Sequence, residues 1–154
     1  INDCVRNNIG KRFLIINILS SVMVGGLIYY FISPEVHFVQ LIDVVIGRNN
    51  HISAISGDSL FYKVVRNHLL DMLWAYALVF ALYIVLGNNA AELMKVFIIA
   101  FAFSAIMEII QLTSIAEGTF DVVDIIVEFF AEVAAVFIIK RYNSEEEKKH
   151  EKPN

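Results

Sequence analysis

Four apolar stretches, at 13–32, 67–86, 93–112 and 120–139, constrain this chain more than anything else in it. The hydrocarbon core of a bilayer is crossed by about 20 apolar residues of helix, because a backbone in lipid must satisfy its own N–H and C=O groups and a helix does so within one segment. Each stretch has that length, so the sequence predicts an all-α, polytopic membrane protein built as a four-transmembrane-helix bundle. Composition points the same way: 58% of the 154 residues are hydrophobic and 18% are charged, too apolar a balance for a water-soluble domain to cover its surface. The formal net charge of -4 says little about partners, because part of the acidic excess lies inside the apolar stretches. The single cysteine, Cys4, cannot make an intramolecular disulfide, which excludes an oxidised framework. The first stretch is too long for the usual core of a signal peptide and lacks a convincing cleavage site, so it is read as a mature span.

The connections order the spans. Gly87, Asn88 and Asn89 join the second to the third, and residues 113–119 join the third to the fourth, so these three form an up-down-up series of neighbours. The first connection, 33–66, is long enough to carry structure of its own. Within it residues 36–46 are apolar except for His37, Gln40 and Asp43. That is too short to span, and predicts an interfacial or re-entrant helix in the first external loop. Lys and Arg favour cytoplasmic loops. Nine of them (Arg6, Lys11, Arg12, Lys95, Lys140, Arg141, Lys148, Lys149 and Lys152) fall on one side, against Arg48, Lys63 and Arg66 on the other. Both termini are therefore expected in the cytoplasm. Residues 1–142 read as one transmembrane domain, and 143–154 as a charged cytoplasmic tail, solvated or frayed helix.

Ionisable groups inside spans are costly and usually face the bundle interior or a wet cavity. The fourth span carries Asp121, Asp124, Glu128 and Glu132, spaced so that all four fall within roughly 80° of one helix face. Glu108 and Gln111 close the third span, and His68 and Asp71 open the second. All lie toward the outer end. With short connections holding the helices together, their polar faces are satisfied by turning toward one another around an acidic pocket open to the outside. The expected pocket residues are Asp71, Glu108, Gln111, Asp121, Asp124 and Glu128, with Arg66 and His68 as counter-charges at the mouth and Arg48 in the loop. So many carboxylates with so few cations must be partly protonated, solvated, or bound to an external cation; whether a metal is that cation is left open.

Structural roles compete with functional ones. Asp121 stands where a helix N-cap is needed, Asp71 suits an interhelical hydrogen bond, and Glu132 could pair with Asn17 or Ser21 of the first span. Ser21 and Gly25, with Gly26, make a small-residue face suited to close helix packing. Trp74, Tyr29, Tyr30, Tyr83 and Tyr142 lie near span ends, where interfacial anchoring is the default account. There is no phosphate-binding loop, no zinc-type His or Cys spacing, no nucleophile elbow and no basic stripe for nucleic acid. His37, His51 and His68 are dispersed, and no cofactor is expected.

Glu108-Ile-Ile-Gln111 followed by Gly118-Thr119-Phe120-Asp121-Val-Val-Asp124-Ile-Ile-Val-Glu128 resembles the signature of the VanZ-like family of bacterial integral membrane proteins, in which Glu-x-x-Gln ends one span and an Asp motif opens the next. Residues 67–76, with Asp71 and Trp74, are similar to the Asp-x-x-Trp segment of one branch. The resemblance covers roughly residues 66–136. It implies a multi-pass protein of the bacterial cytoplasmic membrane, in a family one of whose members is linked to reduced sensitivity to the lipoglycopeptide teicoplanin.

Three functions fit these residues. The first is a non-enzymatic protein binding an amphiphilic or cationic ligand, such as a cell-envelope lipid or a lipoglycopeptide, at the acidic pocket, in antibiotic resistance or envelope homeostasis. The second is a membrane enzyme acting on a lipid-linked substrate through a carboxylate-bound divalent cation. The third is proton- or cation-coupled transport along the stripe from Asp121 to Glu132, in a homo-oligomer assembled through the Ser21/Gly25 face. The expected partners are the bilayer and an envelope lipid or amphiphile, and no nucleic acid.

Overall fold

Long runs of Leu, Ile, Phe, Met and Ala leave the backbone one ready way to satisfy its polar groups, and the two prolines, Pro34 and Pro153, both stand outside those runs. The computed structural model describes residues 2–32, 37–47, 64, 68–86, 90–113 and 120–151, and among them the chain is helical with no strand. The elements are α1 (Asn2–Ile32), α2 (His37–Ile46), α3 (Leu70–Val85), a 3-10 turn (Ala90–Glu92), α4 (Leu93–Gln111) and α5 (Val122–Glu151).

Among the described residues, two helices are long and apolar enough to cross a membrane, α1 through its 22-residue segment Gly10–Phe31 and α4 through its 19 residues. α3 is apolar but has 16 residues, a rise of about 24 Å. α5 carries Asp124, Glu128 and Glu132 within its apolar stretch. α1 begins earlier than the predicted first span, because the polar residues from Asn2 onward join the helix. α5 likewise runs 30 residues and takes up most of the predicted tail. No glycine or proline interrupts it before Pro153, and Arg141 Nε reaches Glu145 Oε1 at 3.0 Å one turn on. Gly47 ends α2 with φ of 70°, the left-handed C-cap conformation that lacks a penalty only without a Cβ.

α3 is the hub. It packs most extensively against α1 and α5 and also against α4, and α4 packs against α5. Gly25 of α1 sits over Leu70 and Leu73 of α3, while Gly26 faces open space. The small-residue face of Ser21 and Gly25 is therefore covered by α3 within the same chain. α2 is tied to α1 by the hydrogen bond Tyr30 Oη donates to Asp43 Oδ1, at 2.9 Å.

The interior has two layers. Leu14, Val79, Phe80, Tyr83, Leu93, Val96, Ala100, Ala135 and Ile139 form a buried apolar cluster. Phe13 stacks on Tyr142 at 4.0 Å, and Asn143 Nδ2 donates to Tyr83 Oη at 2.8 Å. These contacts bring residues near 13, 83 and 142 to one end of the bundle, beside Lys11, Arg12, Lys140 and Arg141. Tyr83 and Tyr142, expected as interfacial anchors, are thus used inside the bundle, while Trp74 is exposed. The second layer is polar: Ser104, Glu108, Asp124, Glu128 and Glu132 are all buried. Outside, the pattern inverts. Met23 of α1 is 65% exposed, Met94 of α4 68% and Phe130 of α5 63%, among many other large apolar side chains. In water such a surface would be covered by a partner or by lipid.

Candidate functional site

The polar layer is made by the ends of three helices. The last turn of α4 supplies Glu108 and Gln111, the first turns of α5 supply Asp121, Asp124 and Glu128, and the start of α3 supplies Asp71, with His68 in a π-type turn just before it. Wider turns of this kind recur at functional sites because they re-aim a side chain out of the regular ladder. His68 Nδ1 lies 2.5 Å from Asp124 Oδ1 across the α3–α5 interface.

Asp121 is the cap of α5. Its Oδ1 accepts from the backbone N–H of Val123 at 2.8 Å, satisfying one of the free donors of the first turn. Its own backbone N–H points to Glu108 Oε2 at 3.4 Å. Gln111 Nε2 donates to Glu108 Oε1 at 3.2 Å. Asp71 lies within Coulombic range of Asp124, Glu108 and His68, and Glu128 within range of Asp71, Glu108, Glu132 and Asp124. The structure therefore places the six residues named for the pocket near one another, with His68 in contact with Asp124. Arg66, Arg48 and His51 lie outside the described residues. Among the described residues, His68 is the basic side chain that contacts a member of the cluster, and no Lys or Arg pairs with one.

Deeper along α5, Glu132 is 0% exposed. Ser104 Oγ of α4 donates to its Oε1 at 3.0 Å. Glu132 thus pairs with α4, not with Asn17 or Ser21 of α1. Asn17 is taken by Tyr76, whose hydroxyl donates to its Oδ1 at 2.7 Å. Ser104 was not among the expected site residues, although it stands one helical turn before Glu108 and so shares its face. Among the described residues, two buried oxygens, Oε2 of Glu128 and Oε2 of Glu132, have no hydrogen-bond partner. An orphan of this kind inside a packed interior is costly, and a bound proton, water or ligand relieves it.

His68, Asp121 and Asp124 each offer one ligand atom, and these lie within 4.8 Å of one another. At the opposite end, a groove of about 650 Å³ between α4 and α5 is mostly apolar and lined by Leu93, Met94, Phe97, Val133 and Val136, with Lys140 at its edge.

Fold and site together define an all-helical bundle with a carboxylate-rich interior at one end. No family model matches the chain, and neither a curated protein nor a solved structure shows significant similarity to it. The resemblance to the VanZ-like family rests on the motifs around Asp71, Glu108 and Asp124 alone.

Proposed function

We propose that this chain is a multi-pass membrane protein, crossing the bilayer with α1, α3, α4 and α5, with both termini in the cytoplasm, and that its acidic end is an outward-facing pocket binding a cationic or amphiphilic ligand without chemical turnover. The observation carrying this reading is the inversion of polarity: carboxylates from three helices converge on the interior while the exterior is apolar. The three carboxylates that make α5 too polar to count as a span by composition are the ones it buries, at 9%, 5% and 0% exposure for Asp124, Glu128 and Glu132. Its remaining face, with Ile126, Phe130 and Phe137, suits lipid. The basic side chains near 11, 95 and 140 at the other end support the orientation.

The VanZ-like motifs extend the proposal to a bacterial cytoplasmic membrane and to an envelope lipid or lipoglycopeptide as the natural ligand, with a role in envelope homeostasis or resistance. Purified protein in lipid nanodiscs tests the binding claim with a fluorescent alkyl-trimethylammonium probe. A quaternary ammonium about 5 Å from a carboxylate is attracted by about 3 kcal/mol at an effective dielectric of roughly 20. Glu128→Gln and Asp71→Asn are each expected to weaken the probe's affinity by roughly tenfold or more, while Glu145→Gln, in the exposed part of α5, leaves it unchanged. Equal affinity in all three variants would remove the acidic pocket from the account.

A further inference from the structure

We infer that His68, Asp121 and Asp124 form a binding site for a single divalent transition-metal ion of the Zn2+ type, at the mouth of the acidic pocket. The inference rests on reading this end of the bundle as a cation-accepting cavity, and it names the cation class.

The donor set is one imidazole nitrogen and two carboxylate oxygens. Oxygen-only cages suit Mg2+ and Ca2+, whereas a nitrogen ligand beside carboxylates favours Zn2+ and its neighbours. Bonds of about 2.0–2.2 Å to each ligand keep the donor atoms of one tetrahedral ion roughly 3.4 Å apart, and the atoms here already lie within 4.8 Å of one another. Three protein ligands leave a fourth position for water or a ligand from the pocket.

His68 Nδ1 and Asp124 Oδ1 are at hydrogen-bond distance, 2.5 Å. A metal would take the place of that contact: the two atoms separate by about an ångström, the imidazole hydrogen sits on Nε2, and Nδ1 and Oδ1 both become ligands.

A second, independent observation comes from below the three ligands. Glu128 is 5% exposed, its Oε2 has no partner, and it stands one turn deeper than Asp124 on the same face of α5, in Coulombic range of Asp71, Glu108 and Asp124. A buried, unpartnered carboxylate amid other carboxylates is stabilised by a nearby positive charge. Among the described residues no Lys or Arg provides one. A divalent ion at the three ligands would.

Asp121 also caps α5, so its metal role must be separated from its structural one. Asn caps a helix as well as Asp but is a much poorer metal ligand. The test uses the full chain in nanodiscs, titrated with Zn2+ by calorimetry and with Co2+ by visible absorption. One Zn2+ per chain is expected, with Mg2+ failing to compete, together with a Co2+ spectrum of nitrogen and oxygen coordination. His68→Ala and Asp121→Asn should each weaken Zn2+ binding at least tenfold with helix content unchanged, and His68→Ala should abolish the Co2+ band. Absence of stoichiometric Zn2+ uptake by the folded wild-type chain overturns the site, as does uptake that neither variant changes. If the alkyl-trimethylammonium probe binds and Zn2+ does not, the metal assignment fails alone and the pocket stands. If Zn2+ binds with the predicted variant effects and the probe does not, the metal site stands and the amphiphile reading falls.

Discussion

At the scale of the residue, the most deeply buried polar pair among the described residues is Ser104 with Glu132. Ser104 is 2% exposed and Glu132 fully buried, and among the described residues the bond between them, at 3.0 Å, is the one protein contact satisfying a carboxylate whose other oxygen has none. Ser104→Ala leaves both oxygens orphaned and should cost about 1–3 kcal/mol. The double variant Ser104→Ala/Glu132→Met, which replaces both partners by apolar groups, should recover most of that loss. Thermal unfolding in nanodiscs reads both; a silent single variant would show that water, and not the serine, satisfies Glu132. The residues of the cluster were legible from the sequence because carboxylates in apolar runs are costly enough to stand out. Their partners were less so. Ser104 is cheap to bury and carries no charge, and the pairing of Glu132 with α4 depends on how α5 is rotated against its neighbours, which spacing along one helix does not determine. That Asp121 caps α5 could be anticipated from its place before an apolar run; whether it also ligates could not.

At the scale of the element, helix type and approximate position followed from apolar length, because no other secondary structure satisfies such runs. The ends were harder. α1 and α5 continue as helix through polar sequence that hydropathy cuts off, since a helix ends at a breaker and not at a change of polarity. The short helix in the first long connection was expected over 36–46 and stands at His37–Ile46, ended by Gly47. The small-residue face of α1 was open to two uses, packing within the chain or between copies, and the structure spends it within the chain. Gly25 approaches Leu70 and Leu73 at 3.9 Å from where a Cβ would stand, whereas Gly26 meets nothing within 4 Å. Gly25→Leu should therefore push α1 from α3 and lower stability by about 1–3 kcal/mol, Gly25→Ala should be tolerated, and Gly26→Leu should be neutral. Unfolding midpoints of the three variants check this, and equal losses at both glycines would mean that α1 packs with a different face.

At the scale of the whole molecule, the two-layer interior explains why the helices keep their order. In the proposed membrane setting, where no hydrophobic drive acts between helices, association would depend on close packing and interhelical hydrogen bonds. The apolar cluster around Val79, Phe80 and Tyr83 supplies the first at the basic end, and the contacts of His68 with Asp124 and Ser104 with Glu132 supply the second at the acidic end. The topology follows if these ends face opposite sides of a membrane. Cysteine accessibility in intact spheroplasts tests that most directly, with a membrane-impermeant maleimide and single cysteines placed in a Cys4→Ser background at Thr113 and Asp121 on the acidic end and at Ser144 on the basic end. The account predicts that Thr113→Cys and Asp121→Cys are labelled from outside while Ser144→Cys reacts only after permeabilisation. Labelling of Ser144→Cys from outside, or protection of both cysteines at the acidic end until the membrane is opened, would contradict it.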